Sequence, residues 1–155
     1  MSHEYTYDIS MFRDTFETRF TYLNGFLRNV SRFGSRPALF DPHSGRRWTY
    51  RELNCEVNRL AHALRADGVG KNDVVMFTLL NSPEFVFCYL AAHKIGAVAC
   101  PVNYRQGAGE IALVIDDSTP KAFIYDAEFG ELSGGALDLC ESKPAIKIVV
   151  GADDA

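Results

Sequence analysis

The stretch DVVMFTLLNSPEFVFCYLAAHKIGAVACPV, residues 73–102, decides the fold. Val74 to Leu79 is a short, mostly apolar run, the pattern of a strand buried on both faces. Ser82-Pro83-Glu84 then opens a helix, with serine as N-cap and proline at the first helical position, where its missing N–H is no loss. That helix runs to about Ile95, Gly96 closes it, and Ala97 to Val102 forms a second strand. Strand, helix and strand in so short a span make a βαβ unit, whose two strands run parallel.

The same alternation continues downstream. Glu110 to Asp117 predicts a short helix ending before Pro120, and Ala122 to Tyr125 a strand. A helix over about Glu131 to Ser142, loosened by Gly134 and Gly135, leads to a last strand at Ile146 to Val150. Upstream, Leu23, Phe26, Leu27 and Val30 fall at i, i+3, i+4 and i+7 of a helix capped by Thr21 and stopped by Gly34 and Pro37. Pro37 to Asp41 and Arg46 to Thr49 flank the turn Pro42-His-Ser-Gly45 and predict a β-hairpin. Thr49 and Glu52 have capping-box spacing, and Leu53, Val57, Leu60, Ala61 and Leu64 carry that helix face on toward Gly68. The fold class is α/β: an N-terminal helix and β-hairpin, then βαβ units with a mostly parallel sheet. The last strand is followed only by Gly-Ala-Asp-Asp-Ala, so the expectation is an incomplete part of a larger domain.

Composition bounds the function. The 155 residues suffice for one domain or one substantial piece, and 47% hydrophobic with 23% charged residues excludes disordered and low-complexity classes. A net charge of −4, with Arg46, Arg47 and Arg51 as the largest basic cluster, argues against nucleic acid or an anionic membrane as the main partner. No apolar run nears the length of a membrane span; Phe85 to Ala92 comes nearest. Met1 to Ser10, with Glu4 and Asp8 and no apolar run, does not resemble a signal peptide. Cys55, Cys88, Cys100 and Cys140 form no CxxC pair, and Cys88 and Cys100 lie in apolar stretches as reduced hydrophobes. A reducing, cytoplasmic setting is the expectation.

Few residues offer chemistry. Gly107-Ala-Gly109-Glu-Ile-Ala112 is a G-x-G-x-x-A string before a helix, and Asp126 ends the next strand. In a Rossmann-type dinucleotide fold such glycines admit a pyrophosphate and such an acid holds a ribose hydroxyl. The competing reading is an ordinary loop, because Asn103-Tyr-Arg-Gln106 separates the strand from the first glycine. Asn103 and Arg105 follow a strand's C-terminal end, where open α/β sheets bind ligands, and an arginine fork there suits a phosphate. His3, His43, His62 and His93 lack metal-ligand spacing, and the latter two suit half-exposed helix positions. Asp116-Asp117 reads as a solvated helix end, and Ser133-Gly134-Gly135 is too short for a phosphate loop. No nucleophile, base and orienter assemble, so no catalytic residue and no metal ligand is assigned.

Taken together, the segments resemble one family. Arg36-Pro-Ala-Leu-Phe-Asp41, Trp48-Thr-Tyr-Arg-Glu-Leu53, Asn81-Ser-Pro-Glu-Phe85, Gly96-Ala97, Pro101-Val-Asn-Tyr-Arg105 and Lys121-Ala-Phe-Ile124 follow the order and spacing of the AMP-forming acyl-CoA synthetases and luciferase-like adenylating enzymes. The likeness covers roughly Leu23 to Val150. It implies a protein that joins a small-molecule carboxylic acid to ATP as an acyl adenylate, releases pyrophosphate, and passes the acyl group to coenzyme A with the help of magnesium. It implies that residues 1–155 are the first part of the large N-terminal domain, without the C-terminal remainder and the small mobile domain. The family's phosphate loop and catalytic lysine have no counterpart here, so this segment alone is expected to be inactive and to bind none of these molecules. Its unfinished sheet is expected to drive self-association of the isolated segment. Arg105 matches a position that contacts the nucleotide end of coenzyme A in some relatives, while Tyr104 stands where proline is common. A free-standing α/β binding module derived from the family is the alternative, and a Rossmann-type segment on Gly107, Gly109 and Asp126 a further one.

Overall fold

The computed structural model describes residues 8–151. The N-terminal reading above falls largely on Met1–Tyr7, outside the described residues, as Ala152–Ala155 are. A short helix, α1 (Ile9–Arg13), continues into a π-helical turn over Asp14–Arg19 that the sequence reading did not anticipate. Phe12, Phe16 and Phe20 line up along it, with ring centroids 4.6 and 5.4 Å apart.

Helix α2 (Tyr22–Phe33) begins where expected, with Thr21 Oγ1 accepting the Asn24 N–H, and it buries Phe26. Strands β1 (Pro37–Phe40) and β2 (Arg47–Thr49) form the antiparallel hairpin. Helix α3 (Tyr50–Ala66) carries the full capping box: Glu52 Oε2 accepts the Thr49 N–H at 2.8 Å while Thr49 Oγ1 accepts the Glu52 N–H. Its Leu53, Val57, Ala61 and Leu64 are all buried. Then follow β3 (Val74–Thr78), α4 (Pro83–Ile95), β4 (Val98–Pro101), α5 (Ala108–Ser118), β5 (Ala122–Asp126), α6 (Gly130–Leu139) and β6 (Ile146–Val150). Helices α3 and α4 close alike. Val69 N–H reaches Leu64 O and Ala97 N–H reaches Ala92 O, across Gly68 (φ 91°) and Gly96 (φ 75°), a left-handed turn that glycine makes without strain.

The four strands of the larger sheet pair in parallel in the order β4-β3-β5-β6. The chain moves from β3 outward to β4, then crosses back past β3 to β5 and on to β6. Parallel crossovers are right-handed, so this reversal puts α4 on one face and α5 with α6 on the other. The core shows it residue by residue. Val75, Phe77, Ala122 and Ile124 pack with α3, α4 and the hairpin, whereas Met76 and Phe123 pack with Ile111, Ile115 and Ala136.

Two boundaries differ from the sequence reading by more than one residue. Helix α5 starts at Ala108, two residues early, because Glu110 Oε2 reaches back to the Gly107 N–H. Helix α6 stops at Leu139 and not at Ser142. Gly135 faces α5: a Cβ there would meet Ala108 Cβ at 3.4 Å, an ordinary contact distance, while Gly134 has nothing within 4 Å.

Candidate functional site

The C-terminal ends of the parallel strands gather the residues singled out in the sequence. The strand order is that of a doubly wound sheet whose ligand crevice opens between its first strand, β3, and the strand beyond it, β5. Here the chain's own carboxylate spans that crevice. Asp126, the last residue of β5, accepts the Leu80 N–H at 2.7 Å, two residues past the end of β3. The connection from β3 to α4 is thereby tied to β5 before any ligand arrives.

Beside it runs the loop from β4 to α5. Val102 N–H bonds Phe77 O of β3, fixing the loop's start. Asn103 Oδ1 accepts the Arg105 N–H at 3.0 Å and Asn103 O the Gln106 N–H at 3.1 Å, which turns the chain back. Tyr104 stacks face to face on Phe129, with centroids 4.9 Å apart and planes 7° from parallel. Arg105 is exposed, its Cζ 5.8 Å from the centroid of the Tyr104 ring. Phe129 ends a 3-10 turn, Ala127–Phe129, directly after Asp126. Three connections of the sheet thus meet at one edge through Leu80, Asp126, Phe129 and Tyr104.

A cleft of about 400 Å³ opens at this edge, lined among others by Asp41, Leu80, Asn81, Ser82, Glu84 and Tyr104. Ser82 Oγ caps α4 by accepting the Phe85 N–H. The hydroxyl of Ser44 and then the His43 N–H hold the Asp41 carboxyl below the usual carboxylate range. A second hollow of about 460 Å³ lies between α2, the hairpin and α4, walled by Phe26, Leu39, Tyr50, Leu53 and Leu90, with no charged residue in its lining. It can bury apolar matter but offers no ion for a carboxylate or a phosphate.

The dinucleotide constellation does not assemble. Gly107 is the N-cap of α5 at φ −75°, and neither it nor Gly109 has an atom within 3.4 Å of where a Cβ would stand, so no close approach demands glycine. Strands β4 and β5 are separated by β3, roughly 10 Å apart at two strand spacings. Asp126 is already engaged with Leu80. The remaining candidates are equally scattered. His62 is exposed on α3, and His93 is half-buried on α4 beside the Tyr89 ring. Asp116 is not merely solvated, since it accepts the Ser142 N–H, and Ser133 is buried inside α6. Burial pushes the Cys88 thiol up to about 12, which keeps it a protonated hydrophobe. Among the described residues, no three of the His, Cys, Asp and Glu side chains converge as metal ligands.

Sequence reasoning missed two couplings, Asp126 with Leu80 and Tyr104 with Phe129. The available signal was the place of Asp126 at a strand end, which the sequence reading weighed only as a ribose ligand against an ordinary loop. For the aromatic pair there was none, because its members stand in different loops.

A parallel sheet of this order, with a hairpin and a capped helix before it, is also the architecture of solved N-terminal domains of acyl-CoA ligases. The chain belongs to the AMP-binding enzyme family, whose model matches residues 26–155. It is 43% identical over 107 residues to a 3-hydroxybenzoate–CoA/4-hydroxybenzoate–CoA ligase of Thauera aromatica, covering 69% of this chain and 20% of that protein. It is 40% identical over 116 residues to the long-chain-fatty-acid–CoA ligase FadD13 of Mycobacterium tuberculosis, covering 75% and 23%. The inhibitor-bound crystal structure of the N-terminal domain of FACL13 from Mycobacterium tuberculosis superposes with a TM-score of 0.74 at 30% identity, over 81% of this chain and 32% of that one. The chain spans about a fifth of the length of the relatives it matches.

Proposed function

We propose that this chain forms the first part of the large N-terminal domain of an AMP-forming acid–CoA ligase, which makes an acyl-CoA from a carboxylic acid, ATP and coenzyme A through an acyl adenylate. The observation that carries the reading is the family match over residues 26–155, together with relatives that are acid–CoA ligases by name. Those relatives act on hydroxybenzoates and on long-chain fatty acids, and the reading accordingly names the acid by its carboxylate alone.

In this reaction a carboxylate oxygen attacks the α-phosphorus and pyrophosphate departs; the thiol of coenzyme A then attacks the acyl carbon and AMP departs. Among the described residues no three His, Cys, Asp or Glu side chains converge on one point. The reading assigns the triphosphate and its cation to parts of the protein outside this chain. What this segment supplies is scaffold, the Leu80–Asp126 tie between the ends of β3 and β5, and at that edge an exposed arginine, Arg105, suited to a phosphate of coenzyme A.

The test is kinetic and uses the full protein. Acid-dependent pyrophosphate release, followed by CoA-dependent acyl transfer, is expected with an aromatic or an aliphatic acid, and none from residues 1–155 alone. Arg105→Ala should raise the KM for coenzyme A far more than that for ATP or acid. One charge-assisted contact is worth about 1–3 kcal/mol, or roughly five- to 150-fold. An unchanged KM for coenzyme A would return Arg105 to the solvated surface.

A further inference from the structure

We propose that Phe129 is a positioning residue for Arg105, acting through the ring of Tyr104, a role that rests on the reading of Arg105 given above. The two ends of the β4–α5 loop are fixed by their backbone amides, Val102 N–H donating to Phe77 O and Gly107 N–H to the side-chain Glu110 Oε2. Its middle, where Arg105 stands, is fixed by the Asn103 turn and by the aromatic stack. The stack is nearly parallel, at 7°, and its two rings come from connections that leave different strands. The guanidinium of Arg105 is 5.8 Å from the Tyr104 centroid, so its direction is referred to a ring that Phe129 holds.

Phe129 is itself held from behind. It closes the single 3-10 turn that follows Asp126, and the Asp126 carboxylate is anchored on the Leu80 N–H. A line of contacts therefore runs from the β3–α4 connection through Asp126, Phe129 and Tyr104 to Arg105. An exposed arginine on an unsupported loop would have to be ordered when its anion binds. One whose loop is already fixed loses less freedom on binding, and the difference appears in affinity for the anion, not in the chemical step.

The experiment measures, in the full protein, the KM for coenzyme A and kcat for Arg105→Ala, Phe129→Ala, Phe129→Tyr and the double variant Arg105→Ala/Phe129→Ala. Loss of one aromatic pair predicts a rise in the coenzyme A KM of roughly two- to tenfold for Phe129→Ala, with kcat little changed. Phe129→Tyr keeps a ring and should restore a near-native KM. The double variant should be no worse than Arg105→Ala alone, because a positioning residue has nothing left to position. Phe129→Leu, which keeps apolar volume but loses the stack, replaces Phe129→Ala if that variant does not fold. If Arg105→Ala raises the KM while Phe129→Ala and Phe129→Leu do not, the positioning role is refuted and the arginine contact stands. If none of the variants moves the KM, the Arg105 reading fails and this role with it. Effects that multiply in the double variant would show Phe129 acting apart from Arg105 and would equally overturn the role.

Discussion

Asp126 is where a site-like pattern and a structural role compete, and removing its carboxylate separates them. Its Oδ2 accepts the Leu80 N–H at 2.7 Å, a charge-assisted bond between residues 46 positions apart. Hydrogen bonds to charged groups contribute about 1.5–3 kcal/mol when shielded from water. Asp126 is only half-buried, so water competes for both partners and the lower part of that range applies. Asp126→Ala should therefore cost about 1–2 kcal/mol, and Asp126→Asn, which keeps a neutral acceptor, about half as much. Asp138→Ala, at an exposed position of α6, serves as the control and should stay within about 0.5 kcal/mol of the native protein. Urea unfolding at neutral pH reads the change as a shift of midpoint at constant slope. Hydrogen exchange at the Leu80 amide adds a local readout, and its protection should fall by roughly five- to thirtyfold in Asp126→Ala. Native stability and unchanged Leu80 exchange in Asp126→Ala would refute the tie. If the same variant instead lost affinity for NAD, the dinucleotide reading of Gly107, Gly109 and Asp126 would be restored.

Leu64→Ala and Leu113→Ala remove the same atoms from opposite environments, since Leu64 is 0% and Leu113 70% exposed. The first should cost about 3–4 kcal/mol and the second under about 0.5 kcal/mol by the same urea assay, and equal costs would contradict the placement of α3 and α5. Asp73 accepts the Gly70 N–H and a Lys121 Nζ proton, and in that order these hold its carboxyl below the usual range. A carboxyl lowered by folding stabilises the fold above its unfolded pKa, about pH 4, and that contribution is lost as pH falls through the folded value. Asp73→Asn should flatten the acid limb of a stability–pH curve, and a limb parallel to the native one would exclude this carboxylate as a contributor.

The architecture was legible because its signals are local. Ser82 with Pro83, Thr49 with Glu52, and the stripe from Leu53 to Leu64 each act within about three turns of chain, and each appears as read. Strand order was not legible: β3 to β6 are similar apolar runs, and the sequence does not say which becomes central. The Phe12, Phe16 and Phe20 spacing was a visible helical signal that went unread. The site was less legible than the fold because its couplings are made between loops. Arg105 stands out as a lone cation after a strand, but nothing near it in sequence reveals that Phe129 lies against its neighbour.

The order of strands has a consequence for how the chain acquires its shape during synthesis. Strand β3 emerges first yet ends up flanked on both sides. Val74 waits for Val98, 24 positions later, and Val75 waits for Ala122, 47 positions later, before either edge is paired. At a ribosomal pace of about 5–20 residues per second, β3 spends roughly one to five seconds with both edges open and about as long again with one. The capped α3, complete before β3 leaves the exit tunnel, packs in the finished fold mainly on α4, which is translated only after β3. The apolar stripe of the early helix thus stays open, like the edges of β3, until α4 is translated.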